Sequence, residues 1–153
     1  MTDRNLTVSV AESCTGGLIS HRLTSVSGSS SYFERGLVVY SNLAKEELLD
    51  IPAEVIQEHG AVSAETAVRM ARGVREKCGT NIGLASTGIA GPTGGTEDKP
   101  VGTVFIALAG REGVGVKRFC FGGRRDQVTV LTAQMALCWL RRFLIDDTFL
   151  FRH

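Results

Sequence analysis

The sequence predicts an α/β fold, a three-layer α/β/α sandwich on a mixed, mostly parallel sheet of about five strands. Two observations carry that expectation. Short apolar runs of strand character alternate with segments of helical period, the pattern of a sheet covered on both faces. One pair of runs, 101–109 and 114–121, is joined only by Gly110-Arg111-Glu112-Gly113 and reads as an antiparallel hairpin, which makes the sheet mixed. The chain of 153 residues shows no internal repeat and no linker, so one domain over 1–153 is expected.

The elements follow in order. Leu6-Thr7-Val8-Ser9-Val10 alternates like a strand, expected at about 6–12. Leu18, Ile19, Arg22, Leu23 and Val26 recur at helical spacing and predict a helix over 15–26. Gly28-Ser29-Ser30-Ser31 reads as a loop, and Phe33 to Tyr40 as a strand with a buried centre. Asn42 is a suitable cap for a short helix from Leu43 to Leu49, which ends near Pro52. A second short helix is expected over 53–58, stopped by His59-Gly60. Ser63 opens a longer helix to about Lys77, with Val68, Ala71 and Val74 on one face; Ser63 with Thr66 makes an incomplete capping box. A strand at 81–87 leads into a loop from Gly88 to Pro100 that has no regular period. Loops of that length in a compact domain are usually functional or disordered. The last helix runs from about Arg125 to Leu144.

Composition narrows the function classes. Net charge is +1, aromatics are 7% and no helix carries a basic stripe, which argues against a nucleic-acid surface. No apolar run reads as membrane-spanning, and the start, Met1-Thr2-Asp3-Arg4-Asn5, has no apolar signal region. Four cysteines at 14, 78, 120 and 138 form no CxxC pair, and no histidine stands beside them at ligand spacing. Neither a disulfide framework nor a metal site is expected, and a cytoplasmic setting is. Of the paired arginines, Arg124-Arg125 is a possible anion contact and Arg141-Arg142 reads as solvated surface.

Three constellations carry chemistry. Ala11-Glu12-Ser13-Cys14-Thr15-Gly16-Gly17 lies between the first strand and the first helix. Open α/β sheets keep their ligands at such strand-to-helix turns, and unpaired N–H groups of the helix suit an oxyanion or phosphate. The same residues also suit a well-capped helix, with Ser or Thr as N-cap. The second constellation, Thr87-Gly88-Ile89-Ala90-Gly91-Pro92-Thr93-Gly94-Gly95, fits neither a Walker A loop nor GxGxxG, and reads equally as ligand cradle or surface loop. The third joins Gly28-Ser29-Ser30 to Tyr40, Ser41, Asn42 and Lys45. A serine nucleophile needs a base at neutral pH. His21, His59 and His153 are poorly placed for that work, so a lysine of lowered pKa or a tyrosine relay is the substitute. Lys45 taken alone reads rather as a solvated helix lysine pairing with a nearby Glu.

Several motifs stand in register from residue 6 to about 146. They are AESCTGG at 11–17, GSS at 28–30, FERG at 33–36, VYSN at 39–42 with Lys45, HGAVS at 59–63, TGIAGPTGG at 87–95, KPVGTV at 99–104 and RD at 125–126. Together they resemble the CinA C-terminal domain family, whose enzymes are nicotinamide-nucleotide amidohydrolases. The resemblance implies hydrolysis of nicotinamide mononucleotide (NMN) to nicotinate mononucleotide and ammonia, without cofactor or metal. It implies Ser13 as nucleophile and Ser30, Tyr40 and Lys45 as the other polar members of the site. N–H groups around Thr15, Gly16 and Gly17 would hold the oxyanion. Gly88, Gly91, Gly102, Thr103 and Arg125 would lie near the substrate, Arg125 as a phosphate or structural contact. Many family members begin with a further amphipathic helix, whereas this chain starts almost at the first strand. The bare strand and the apolar tail Phe149-Leu150-Phe151 suggest a homo-oligomer. Two other readings share these features. In one, Cys14 is the nucleophile, its thiol acidified by the helix N-terminus. In the other, the fold only binds a nucleotide.

Overall fold

The computed structural model describes residues 1–146. The tail Phe149-Leu150-Phe151 and His153 lie outside the described residues. Five strands and five α-helices follow one another as β1 (Val8–Glu12), α1 (Leu18–Thr24), β2 (Phe33–Val38), α2 (Asn42–Leu49), α3 (Ala53–His59), α4 (Ala64–Cys78), β3 (Ile82–Gly88), β4 (Thr103–Ala109), β5 (Val114–Cys120) and α5 (Arg125–Ile145). The strands form one sheet in the order β2-β1-β3-β4-β5. β1 pairs in parallel with β2 and with β3, and the β4–β5 hairpin continues the sheet antiparallel. This is the expected mixed three-layer sandwich.

Strand alternation builds its two cores. Val8 and Val10 of β1, Leu84 of β3 and Ile106 and Leu108 of β4 face α1 and α5, where they meet Ile19, Val128, Ala136 and Leu140. Ala11, Ala85, Phe105 and Ala107 face the other way, toward Leu49, Ile56, Met70 and Val74 of α2, α3 and α4. Small residues let α4 approach closely: a Cβ on Gly83 would collide with the Ala71 carbonyl. Truncating a core side chain here, such as Met70→Ala, costs about 2–5 kcal/mol.

Some local expectations need correcting. α1 begins at Leu18, three residues later than its period suggests, because residues 13–17 form a turn. α2 is capped by Ser41, whose hydroxyl accepts from the Ala44 N–H at 3.0 Å, so Asn42 is already helical. α4 is capped by Ser63 as expected, through the Thr66 N–H at 3.1 Å. α5 is long and apolar enough to cross a membrane by length and composition, contrary to the reading of the sequence. Its inner face, Val128, Thr132, Ala133, Ala136, Trp139 and Leu140, is buried in the fold, which accounts for that composition.

The topology also places the crevice. The chain leaves β1 through α1 on one face, and returns from β2 to β3 through α2, α3 and α4 on the other. The β1–β3 boundary is therefore a switch point, and a crevice opens beyond the carboxyl ends of these two strands.

Candidate active site

Glu12, the last residue of β1, is fully buried and shapes the turn that follows. Its carboxylate accepts from the backbone N–H groups of Gly17 (3.1 Å), Ile19 (3.0 Å) and Ser20 (2.8 Å), and from the Ser20 hydroxyl (2.6 Å). Thus α1 is capped by a glutamate reaching forward from the strand, not by Ser13 or Thr15. The chain reverses through Gly16 and Gly17, at φ 57° and 99°, a left-handed pair that L side chains disfavour. Ser13 is tied back to the sheet by its N–H, which donates to the Ser86 carbonyl at 3.0 Å.

Lys45 reaches the same point from the opposite side. It lies on α2, yet it is only 1% exposed. Its Nζ stands 3.4 Å from Ser13 Oγ and donates to the carbonyls of Val39 (2.8 Å), Tyr40 (3.2 Å) and Ser41 (3.3 Å). The solvated-lysine reading of this residue is therefore wrong. Burial pushes its pKa below the usual lysine range. That matters because a neutral amine has two N–H groups and one lone pair. The carbonyls can use only the N–H groups, so of these four partners Ser13 alone can donate to the lone pair.

Cys14 is buried beside Ser13, at 7% exposure. Burial pushes its thiol up to about 12, with Glu12 adding in the same direction and the backbone, Lys45 and Arg125 opposing. The expected acidification by the helix N-terminus loses to desolvation, and Glu12 already occupies that terminus.

These groups open onto a cleft of about 260 Å³. Ser13, Cys14, Tyr40 and Lys45 line one side, Ala61 and Val62 of the α3–α4 connection another, and the glycine loop from Thr87 to Gly94 a third. Thr87 joins the last two, its hydroxyl donating to the Ala61 carbonyl at 2.8 Å. Arg125, at the start of α5, closes the mouth: it donates to the Gly91 carbonyl at 2.8 Å and to the Tyr40 phenol at 2.7 Å.

The structure thus gathers Ser13, Tyr40, Lys45, Gly88, Gly91 and Arg125 at one cleft, and holds the other candidates apart. Ser30 lies in the turn before β2, and β2 runs parallel to β1, so it sits at the opposite end of the sheet from Ser13 in this chain. The Gly16 N–H donates to the Ser13 carbonyl and the Gly17 N–H to Glu12, so neither is available to an oxyanion. The Thr15 hydroxyl is buried against Ser86 Oγ at 2.8 Å. Among the described residues, no backbone acceptor takes the N–H of Cys14 or Thr15. Gly102 and Thr103 lie behind the glycine loop: the Gly102 N–H donates to the Ile89 carbonyl, and the Ile89 N–H to the Thr103 carbonyl. A Cβ at Gly102 would strike the Phe121 carbonyl, so this glycine serves packing. Tyr40 meets Lys45 through its backbone carbonyl rather than its phenol.

Sequence reasoning missed Glu12, Ala61, Val62, Ile89, Ala90, Thr93 and Gly94 as parts of the site. All lie inside the quoted motifs, so the motif boundaries held the signal. Among the described residues no cluster of three or more His, Cys, Asp or Glu could hold a metal ion.

The model of the CinA C-terminal domain matches residues 1–144. The chain belongs to the CinA family. A CinA-like protein of Geotalea daltonii is 60% identical over 139 residues, which are 91% of this chain and 34% of that protein. Another, from Syntrophus aciditrophicus, is 60% identical over 145 residues, 94% of this chain and 34% of that protein. The chain therefore spans about a third of the length of these curated relatives. Two solved structures share the fold. Competence/damage-inducible protein CihA of Agrobacterium tumefaciens has a TM-score of 0.90 at 43% identity, over 92% of this chain and 87% of its own. Competence damage-inducible protein A (ComA) of Klebsiella pneumoniae has a TM-score of 0.91 at 33% identity, over 95% and 90%.

Proposed function

We propose that this chain hydrolyses the carboxamide of NMN, giving nicotinate mononucleotide and ammonia through a serine acyl-enzyme. One observation carries the reading: the buried Lys45 Nζ lies 3.4 Å from Ser13 Oγ on the wall of a cleft. A serine beside a desolvated lysine is an activated nucleophile without histidine.

The steps follow from that pair. Lys45, as the neutral amine, takes the Ser13 proton while Oγ attacks the carboxamide carbon. The carbonyl oxygen becomes an oxyanion, for which the N–H groups of Cys14 and Thr15 are the candidate donors because no backbone acceptor takes them. One such donor is typically worth about 10²–10³ in rate. When the tetrahedral intermediate collapses, the C–N bond breaks and the Lys45 ammonium returns its proton to the leaving amine, which departs as ammonia. Water, deprotonated by the regenerated Lys45, attacks the acyl carbon and frees Ser13. Cys14 takes no part, because burial keeps it a thiol. The exposed Arg125 guanidinium at the mouth suits the substrate phosphate.

Ammonia release from NMN tests this, with Ser13→Ala beside the parent at matched folding. Release by the parent and a loss of about 10⁴-fold or more in the variant is expected. A parent that releases nothing while NMN raises its melting temperature would make the fold a nucleotide-binding module instead.

A further inference from the structure

Tyr40 is pinned at two points. Its backbone carbonyl accepts from Lys45 Nζ at 3.2 Å, beside the nucleophile. Its phenol oxygen accepts from Arg125 at 2.7 Å, and the same guanidinium is tied to the Gly91 carbonyl. The side chain therefore bridges the cleft from the Ser13 end to the Arg125 end. The residue is nonetheless 58% exposed. An aromatic ring held in place yet open to solvent inside a cleft is a recognition surface. It is poorly placed as a proton relay, since its hydroxyl engages a permanent cation instead of Lys45 or Ser13.

We infer that Tyr40 is the specificity-determining platform for a cationic pyridinium ring; the orientation of the ligand rests on the amidohydrolase reading above. The ring of NMN carries a positive charge on the nitrogen that bears the ribose. Its carboxamide lies on one side of the ring and its phosphate beyond the ribose on the other. With the carboxamide at Ser13 and the phosphate at Arg125, the ring lies along Tyr40. A cation over an aromatic face is attracted by the ring quadrupole. Arg125 supports this arrangement only when the phosphate is present. Two of its five N–H groups serve Gly91 and Tyr40, the rest are free to meet phosphate oxygens, and without an anion the guanidinium repels a cationic ring.

Binding to Ser13→Ala tests the inference without turnover. The two probes are NMN and its 1,4-dihydro form, which keeps carboxamide, ribose and phosphate but has a neutral ring. Adding Tyr40→Leu is expected to weaken NMN by about 5- to 30-fold and to leave the dihydro form nearly unchanged. Adding Tyr40→Phe keeps the aromatic face and is expected to keep the preference for NMN. Equal weakening of both probes by Tyr40→Leu would make the contact simple packing and overturn the inference. So would unchanged NMN affinity, or a Tyr40→Phe variant that behaves like Tyr40→Leu. Ammonia release by the parent is scored separately. Charge-selective binding without ammonia sinks only the amidohydrolase reading, and ammonia release with unselective Tyr40→Leu sinks only this one.

Discussion

Glu12 and Lys45 are both sealed from solvent, at 0% and 1% exposure, and both stand beside the turn that carries Ser13. Their partners separate them. Every hydrogen bond that the Glu12 carboxylate accepts comes from the start of α1, three backbone N–H groups and one hydroxyl. Lys45 instead faces three carbonyls and the Ser13 hydroxyl. Losing its proton leaves the carbonyls served by two N–H groups and turns the lone pair to Ser13. A buried charge is thus no sign of chemistry in itself. What matters is whether its partner set tolerates a change of protonation. Glu12 is a cap that holds the Ser13 turn in shape, and Lys45 is the one of the two whose partners suit the base of the proposed reaction.

Substitution of the two residues separates these roles. Lys45→Met keeps the aliphatic stem and removes the amine. It is expected to lower kcat/KM for NMN by about 10²–10⁴, measured as ammonia release, in a variant that still folds. Retained turnover would make Lys45 a structural residue like Glu12 and end the comparison. Glu12→Ala should show the opposite profile. It strands several buried donors and removes a helix cap, so a loss of about 2 kcal/mol or more is expected. For a domain of this size that is roughly 4–8 °C in Tm, readable by calorimetry. A Tm that does not move while turnover collapses would put Glu12 among the reacting groups.

The same contrast shows what the sequence could and could not reveal. The sandwich was legible because alternation in β1 and β4 divides their side chains between two cores, and period-2 patterning survives in the text of the chain. The strand-to-helix turn that carries Ser13 was legible from its flanking patterns, and Arg125 was marked by its arginine pair and by the family resemblance. The pairing of Ser13 with Lys45, 32 positions apart, was expected, but its 3.4 Å geometry and the burial of the lysine were not, because they depend on the sheet order and on α2 turning its lysine inward. Glu12 stood inside the first constellation without a role, since its partners belong to a helix that starts later than its hydrophobic period suggests. The distance of Ser30 from Ser13 within this chain was hidden for a related reason. Its motif lies beside the others in sequence order, but a residue that precedes a strand parallel to β1 falls at the far end of the sheet.

A smaller and more specific effect is the pH dependence of Lys45. Burial holds its folded pKa below 10.5, the value the unfolded chain keeps. Between the lowered value and 10.5 the unfolded chain binds more protons than the folded one. Folding stability therefore rises with pH through that window, and below it the full cost of burying Lys45 is present. The parent should gain stability relative to Lys45→Met as pH is raised toward 10.5, measured by urea denaturation at a series of pH values. In parallel, kcat/KM should climb with pH while the amine loses its proton, then level off. A parent and a Lys45→Met variant whose stabilities run parallel across this range would mean that the lysine titrates as it does in water.

The smallest expected effect is at Cys14, and its smallness is the point. The thiol is adjacent to the proposed nucleophile and lines the same cleft. A thiol held up at about 12 carries almost no thiolate at neutral pH, and the thiolate is the reactive form. Cys120, by contrast, is exposed. Iodoacetamide at neutral pH should therefore label Cys120 well before Cys14, which peptide mapping by mass spectrometry reads directly. Cys14→Ser keeps the backbone N–H assigned to the oxyanion and is expected to change ammonia release by no more than about 3-fold, consistent with a residue that contributes no proton transfer. Rapid alkylation of Cys14 with matching loss of turnover would reverse the assignment, because only an ionised thiol in the cleft reacts that way, and the nucleophile would then be the neighbour of Ser13.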